Sequence, residues 1–238
     1  MAGEQWAGWV EGTVDGQERD LVVLHVAFAV VAALVLLVPG QLAQGWRIWI
    51  LLIGYNVATL GVVLIRGHDA WLRAWWFAAV TSVFQVVPDA FLVAGLGTLT
   101  FPADGAPNLG PVTASMALMW TIPLVLIVSA ADSATRRRGA VAGWVTAVLT
   151  AGVVFVGAEA LLPPLGIWEP VGVTTIGGWL APYVLPPELL LGAAAWWGVQ
   201  VTRERHPLLV VPVGALVSLL YTGALAASWL LLERGLLA

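Results

Sequence analysis

Three carboxylates, Asp89, Glu159 and Glu188, stand singly in or against apolar stretches of a chain that has no lysine and no cysteine. An ionised side chain at the centre of a bilayer costs about 2.5–3.5 kcal/mol on insertion scales, so acids placed there are functional candidates by default. A carboxyl group in hydrocarbon favours its neutral form and can serve as a general acid at neutral pH. Two neighbouring carboxyls split their titration, leaving one acid and one base. Such a pair suits protonation of an alkene or epoxide at one point of a molecule and removal of a proton at another.

The absent groups narrow the chemistry. Without cysteine there is no disulfide, no thiolate nucleophile and no sulfur-held metal. All 10 basic residues are arginine, which excludes a Schiff-base lysine and with it a retinal protein of the usual seven-helix kind. Ionising a prenyl diphosphate calls for clustered Asp side chains around magnesium, whereas these acids are scattered. His25 is the one histidine within an apolar stretch, so a bis-histidine haem is excluded. Phosphate loops, nucleophile elbows and zinc-helix motifs are missing, and nothing resembles a basic surface for nucleic acid. The expectation is acid–base chemistry on an apolar small molecule, with no metal and no cofactor.

The 14 tryptophans suit a cationic intermediate. An aromatic face over a desolvated cation contributes ~2 kcal/mol or more, and indole does so best. Trp46, Trp49, Trp71, Trp75 and Trp76 read as an interfacial belt. Trp120, Trp168 and Trp179 lie nearer the acids and read either as belt or as the wall of a site. Tyr55, Asn56, Gln85, Tyr183 and Tyr221 are polar groups within apolar stretches, placed to hold a substrate or to tie helices together.

These residues need a scaffold, and the composition supplies one. The chain is 60% hydrophobic and 10% charged, against about 25% charged in soluble domains. The expected fold is an all-α integral membrane protein, a seven-transmembrane helix bundle. Its spans are Leu21–Val38, Trp46–Ile65, Ala74–Leu99, Pro111–Ala131, Gly139–Leu162, Trp179–Val201 and Leu208–Leu232. Residues 1–20 form a polar N-terminal segment without signal-peptide features. Trp6, Trp9 and Val10 share a helical face there, so it reads as a short interfacial helix or as a disordered tail. Residues 21–238 are then one membrane domain in contact with lipid.

Arginine placement orients the bundle. A cytoplasmic N-terminus puts Arg19, Arg66, Arg73, Arg136, Arg137, Arg138, Arg203 and Arg205 inside, leaving Arg47 and Arg234 outside. The all-arginine, Ala/Gly/Val/Leu-rich composition suggests a high-GC bacterium and hence the bacterial cytoplasmic membrane. Asp89 then lies ~22 Å along an outward-running third span at ~1.5 Å per residue. Glu188 lies ~14 Å down an inward-running sixth span if that helix is continuous. Glu159 falls near the outer end of the fifth span. The connections Thr100–Gly110 and Pro163–Gly178 lie over the same region, so the three acids converge on one outer site. Val87-Pro88-Asp89-Ala90 on the third span and Pro186-Pro187-Glu188-Leu189 on the sixth also echo each other. Inverted repeats place binding sites between such broken helices.

The stretch Gly166-Ile167-Trp168, Gly177-Gly178, then Leu185-Pro186-Pro187-Glu188-Leu189-Leu190 resembles the membrane-embedded lycopene cyclases. Those proteins carry a Gly-x-Trp segment and a Pro-x-Glu-Glu motif that opens a helix. Pro186 and Glu188 match the Pro and the first Glu, while Leu189 replaces the second, which argues against carotenoid cyclisation itself. The size and the lone acids are also similar to integral-membrane terpene cyclases acting on meroterpenoids and prenylated indoles. The resemblance covers about a tenth of the chain and implies proton-initiated cyclisation of a prenylated substrate. On the residues themselves, Asp89 or Glu188 is the acid, the partner carboxylate or a bound water takes the final proton, and Glu159 is a further catalytic candidate. A hydratase or isomerase of similar substrates would use the same acid and admit water. A proton-coupled transporter of a small molecule would use Asp89 and Glu188 as its coupled pair.

Overall fold

A computed structural model of the chain describes residues 2–236, with side chains from residue 16 onward. Among the described residues, seven long helices follow one another. They are α1 (Ala2–Leu37), α2 (Gln44–Arg66), α3 (Asp69–Leu96), α4 (Met116–Arg138), α5 (Ala140–Leu161), α6 (Leu185–Thr202) and α7 (Val210–Leu231). Six of them are long and apolar enough to cross a membrane. The exception is α6, whose first turn holds two prolines and Glu188. The polar N-terminal segment and the first apolar stretch form one continuous helix. The face that Trp6, Trp9 and Val10 would share lies outside the described side chains.

Proline dictates the interruptions. It has no N–H to give to the preceding turn, and its ring crowds the carbonyl four residues back. In α3, Pro88 follows a break at Gln85, whose N–H is shared between the carbonyls of Thr81 at 3.0 Å and Ser82 at 3.2 Å. Past Ala90 the helix widens into a π-turn, Phe91–Leu96, and stops at Gly97 with φ 68°. Such wide turns recur at functional sites. In α4, Pro123 leaves the Met119 carbonyl without its usual donor, and the helix breaks at Trp120.

The sixth helix differs from expectation. Instead of running from Trp179, it starts at Leu185 after a tight turn at Pro182–Val184. Pro186 and Pro187 sit where missing N–H groups cost nothing, in the first turn. Glu188 therefore lies in that first turn, not ten residues into a continuous helix. The fourth helix also starts later than expected, because residues 111–113 belong to a small hairpin pairing Asn108–Leu109 with Val112–Thr113 and a turn follows it.

The arginines sort to the two ends of the bundle. At one end Asp20 accepts hydrogen bonds from Arg66 and His68, both at 3.0 Å, joining α1 to the α2–α3 turn. Asp132 on α4 pairs with Arg136 and with Arg203 past the end of α6, and Glu18 pairs with Arg137. At the other end Arg47 donates to the carbonyls of Val35, Val38 and Leu42, closing the last turn of α1. Arg234 lies 4.9 Å over the Trp229 ring. The core runs through α3 to α7. There Gly192 lets α6 press on α5, since a Cβ would stand 2.4 Å from Ala151 Cβ. By contrast α1 is mostly exposed, in keeping with a helix that meets lipid.

Candidate functional site

Opposite the arginine-rich end, the two long connections pair with each other. Leu99 and Thr100 align antiparallel with Pro170 and Glu169, tying the α3–α4 connection to the α5–α6 connection. Beneath this strap lies a cavity of about 290 Å³. Its lining is almost wholly apolar and includes Leu99, Phe101 and Ile167 from the strap. Asp89, Glu159 and Glu188 all reach it. Three acids from three helices thus meet in one apolar chamber.

Each acid is held differently. Asp89 is 3% exposed and accepts a 3.1 Å hydrogen bond from the Trp120 indole N–H. That bond crosses from the broken part of α3 to the break in α4, so both prolines serve to aim the pair. Glu188 is 4% exposed, and its Oε2 has no hydrogen-bond partner among the described residues. Leaving a buried carboxylate oxygen unpaired is costly, which makes such a group a site to be explained. Glu159 is half-buried, lies beside the Trp168 indole and is within electrostatic reach of Glu188. The echo between α3 and α6 has a local counterpart, because Asp89 and Glu188 each stand in the first turn of a proline-bearing helical segment.

An aromatic wall flanks Asp89. The Trp120 ring packs at 5.6 Å from Phe155 and edge-on at 5.7 Å from Tyr221. Tyr221 lines the cavity together with all three carboxylates. Tyr183 donates at 2.8 Å to Thr98, and its carbonyl accepts from Ser228 at 2.6 Å, which fixes the turn leading into α6. Together these groups form a mostly apolar pocket lined by the acids and by π-faces. It can bring a carboxylic acid against an apolar chain and surround a developing cation with aromatic density.

The other expected site residues lie elsewhere. Tyr55 is buried between α1 and α2, with its hydroxyl 3.1 Å from His25 Nε2 and its ring 5.0 Å from Phe28. Asn56 accepts from Trp75 Nε1 and donates to the Leu52 carbonyl, both at 2.8 Å, so it ties α2 to α3. Trp179 packs against Gly177 in the loop before α6, off the cavity. Gln85 is fully buried one turn from Asp89, also off the cavity. Tyr55 and Asn56 thus tie neighbouring helices together, because amides and hydroxyls in an apolar bundle seek the nearest partner. Trp120, Trp168, Tyr183 and Tyr221 do line the cavity. Phe155 and Thr98 line it too and carried no expectation, although Phe155 precedes Glu159 by one helical turn and so shares its face.

Residues 86–232 match the model of a family described as a domain of unknown function, DUF6989, and the chain belongs to that family. The matched segment holds Asp89, Glu159, Glu188 and the whole aromatic wall. No curated protein and no solved structure matches the chain.

Proposed function

For this member of DUF6989 we propose a membrane-embedded terpene cyclase that folds and cyclises a prenylated apolar substrate by protonation, without a metal. One observation carries the reading: Asp89, Glu159 and Glu188 face a single apolar cavity beside the Trp120, Phe155 and Tyr221 rings. A volume of about 290 Å³ is near the lower end for small-molecule pockets, roughly 300–1,000 Å³. That favours a compact isoprenoid chain over a carotenoid. The substrate enters from the bilayer of a bacterial cytoplasmic membrane and folds against the aromatic wall.

Asp89 gives its proton to an alkene carbon or an epoxide oxygen, and a carbocation forms. The Trp120 N–H stabilises the carboxylate left behind, which suits Asp89 to the donor role. The unpaired Glu188 oxygen is free to take a proton from a carbon next to the final cation, closing the sequence as an alkene. Glu159, nearer the strap, passes that proton toward water. Protons gained and lost balance, so the product is an isomer of the substrate.

The test is product analysis in heavy water. Membranes containing the protein are given farnesylated and geranylgeranylated indoles and phenols, with and without a terminal epoxide. Alkene substrates should yield cyclic isomers carrying one non-exchangeable deuterium, and activity should survive EDTA. Because the donor must start protonated, activity should fall as pH rises. A hydrated product would make the protein a hydratase instead. A deuterium-free ring from an alkene substrate, or activity restored only by magnesium, would overturn acid initiation.

Orientation belongs to the same proposal: seven spans, the N-terminus and the arginine-rich end in the cytoplasm, the strap outside. Reporter fusions after Arg138 and after Glu169 should read cytoplasmic and external respectively. The reverse at both positions would invert the site.

A further inference from the structure

On the arginine-rich side of Asp89, away from the cavity, lies a set of buried hydroxyls and an amide that the cyclase reading leaves unused. Thr81, Ser82 and Gln85 on α3 are fully buried, and Ser218 on α7 is 2% exposed. Thr81 Oγ1, Ser82 Oγ, Ser218 Oγ and both amide atoms of Gln85 have no hydrogen-bond partner among the described residues. Buried polar atoms of folded proteins are nearly always satisfied, by protein or by internal water. Five in one region demand a common answer.

Their placement supplies it. Thr81, Gln85 and Asp89 recur every four residues and so share one face of α3. Helices α3 and α7 pack together and, counted along the chain, run in the same direction. Gly214 sets their register, since a Cβ there would stand 2.9 Å from Thr81 Oγ1. Advancing four residues on both helices, ~6 Å, places Ser218 level with Gln85. One further turn reaches Asp89 and Tyr221. The backbone has the same step, because the Asp89 N–H donates to the Gln85 carbonyl at 3.3 Å. Thr121, next to the Trp120 that binds Asp89, is also buried with an unpartnered hydroxyl. An internal water makes about three hydrogen bonds, and this cluster offers donors and acceptors for more than one.

We infer that Thr81, Ser82, Gln85 and Ser218 hold internal water behind Asp89 and relay protons to it. The inference deepens the reading of Asp89 as the acid. A donor facing an apolar cavity must be reprotonated between turnovers, and a substrate or product held there blocks the cavity side. Water behind it takes a proton from its neighbour and gives one to the Asp89 carboxylate, with no net change in the chain.

Infrared spectroscopy on the protein in lipid, without substrate, tests this. The protonated-carboxyl band lost in Asp89→Asn is assigned to Asp89, and its exchange is followed after transfer to heavy water. In Gln85→Leu combined with Ser218→Ala the exchange should slow at least tenfold. Thr81→Val with Ser218→Ala changes little volume and should slow it too, which keeps the test available if the first variant fails to fold. An unchanged exchange rate in folded variants would overturn the relay, as would the absence of any band assigned to Asp89. No turnover is needed, so a protein that cyclises nothing yet shows Gln85-dependent exchange would refute the cyclase reading alone.

Discussion

Asp89→Asn should abolish most turnover while leaving the fold intact. The amide keeps the shape of the carboxyl group, and its oxygen still accepts the Trp120 N–H bond that links α3 to α4. What it lacks is a proton that can be transferred. Groups acting as general acids typically contribute ~10²–10⁴-fold, and a loss of that size is expected, with unchanged membrane insertion and thermal unfolding. Glu188→Gln should lose a similar factor by another route. Initiation stays possible there, so the lost activity should be accompanied by new products, either shifted alkenes or water-quenched alcohols. Glu159→Gln, half-buried and nearer the strap, should cost less. Liquid chromatography with mass detection on the same membranes reads all three. Full activity with an unchanged product in Asp89→Asn would remove that residue from the mechanism.

The contrast between the two acids follows from their local settings. Asp89 has an indole donor in the cavity and a polar cluster behind it. Glu188 has an unpaired oxygen and another carboxylate as its neighbour. A proton donor benefits from a stabilised conjugate base, and a proton acceptor from the reverse. On the proposed mechanism, protons enter at Asp89 and leave past Glu188 and Glu159.

Much of the scaffold was legible because hydrophobic length and arginine sorting are strong signals in a membrane chain. The boundaries of α2, α5 and α7 fall within two residues of those read from the sequence. The three acids do line one cavity, but the depth read for Glu188 assumed a continuous sixth helix, whereas Glu188 stands in that helix's first turn. Proline was read less well. The span read from Trp179 carried Pro186 inside a helix, whereas the helix opens at Leu185, as the motif resemblance implied, because the preceding Gly-rich loop reaches further than hydropathy indicates. Among polar residues, depth could be read but not direction. Tyr55 and Asn56 lie within the second helix as expected, yet their partners are His25 and Trp75 on neighbouring helices. Which face a hydroxyl presents depends on how helices pack, and a span apolar on all sides, such as α5, carries no stripe to reveal it. Gln85 shows the same limit from the other side, because its proximity to Asp89 was visible while its burial away from the cavity was not.

Trp120 should be the most informative aromatic position, because its two functions can be separated. Its N–H holds Asp89, and its ring packs between Phe155 and Tyr221 on the cavity wall. Trp120→Phe keeps a π-face and deletes the donor. A hydrogen bond to a charged group contributes about 1.5–3 kcal/mol, so turnover should drop roughly 10–100-fold with the same cyclic product. Trp120→Leu deletes both. Cation stabilisation of ~2 kcal/mol or more is then lost as well, and turnover should fall by a further factor of roughly 30. Cyclisation should also stop early, because a cation without an aromatic neighbour loses its proton or meets water before the next ring closes. Product profiles and initial rates of the two variants decide the matter. Were Leu and Phe to give the same rate and the same single product, the ring would contribute nothing to the cation. The aromatic wall would then be packing alone, and carbocation chemistry would lose its main structural support.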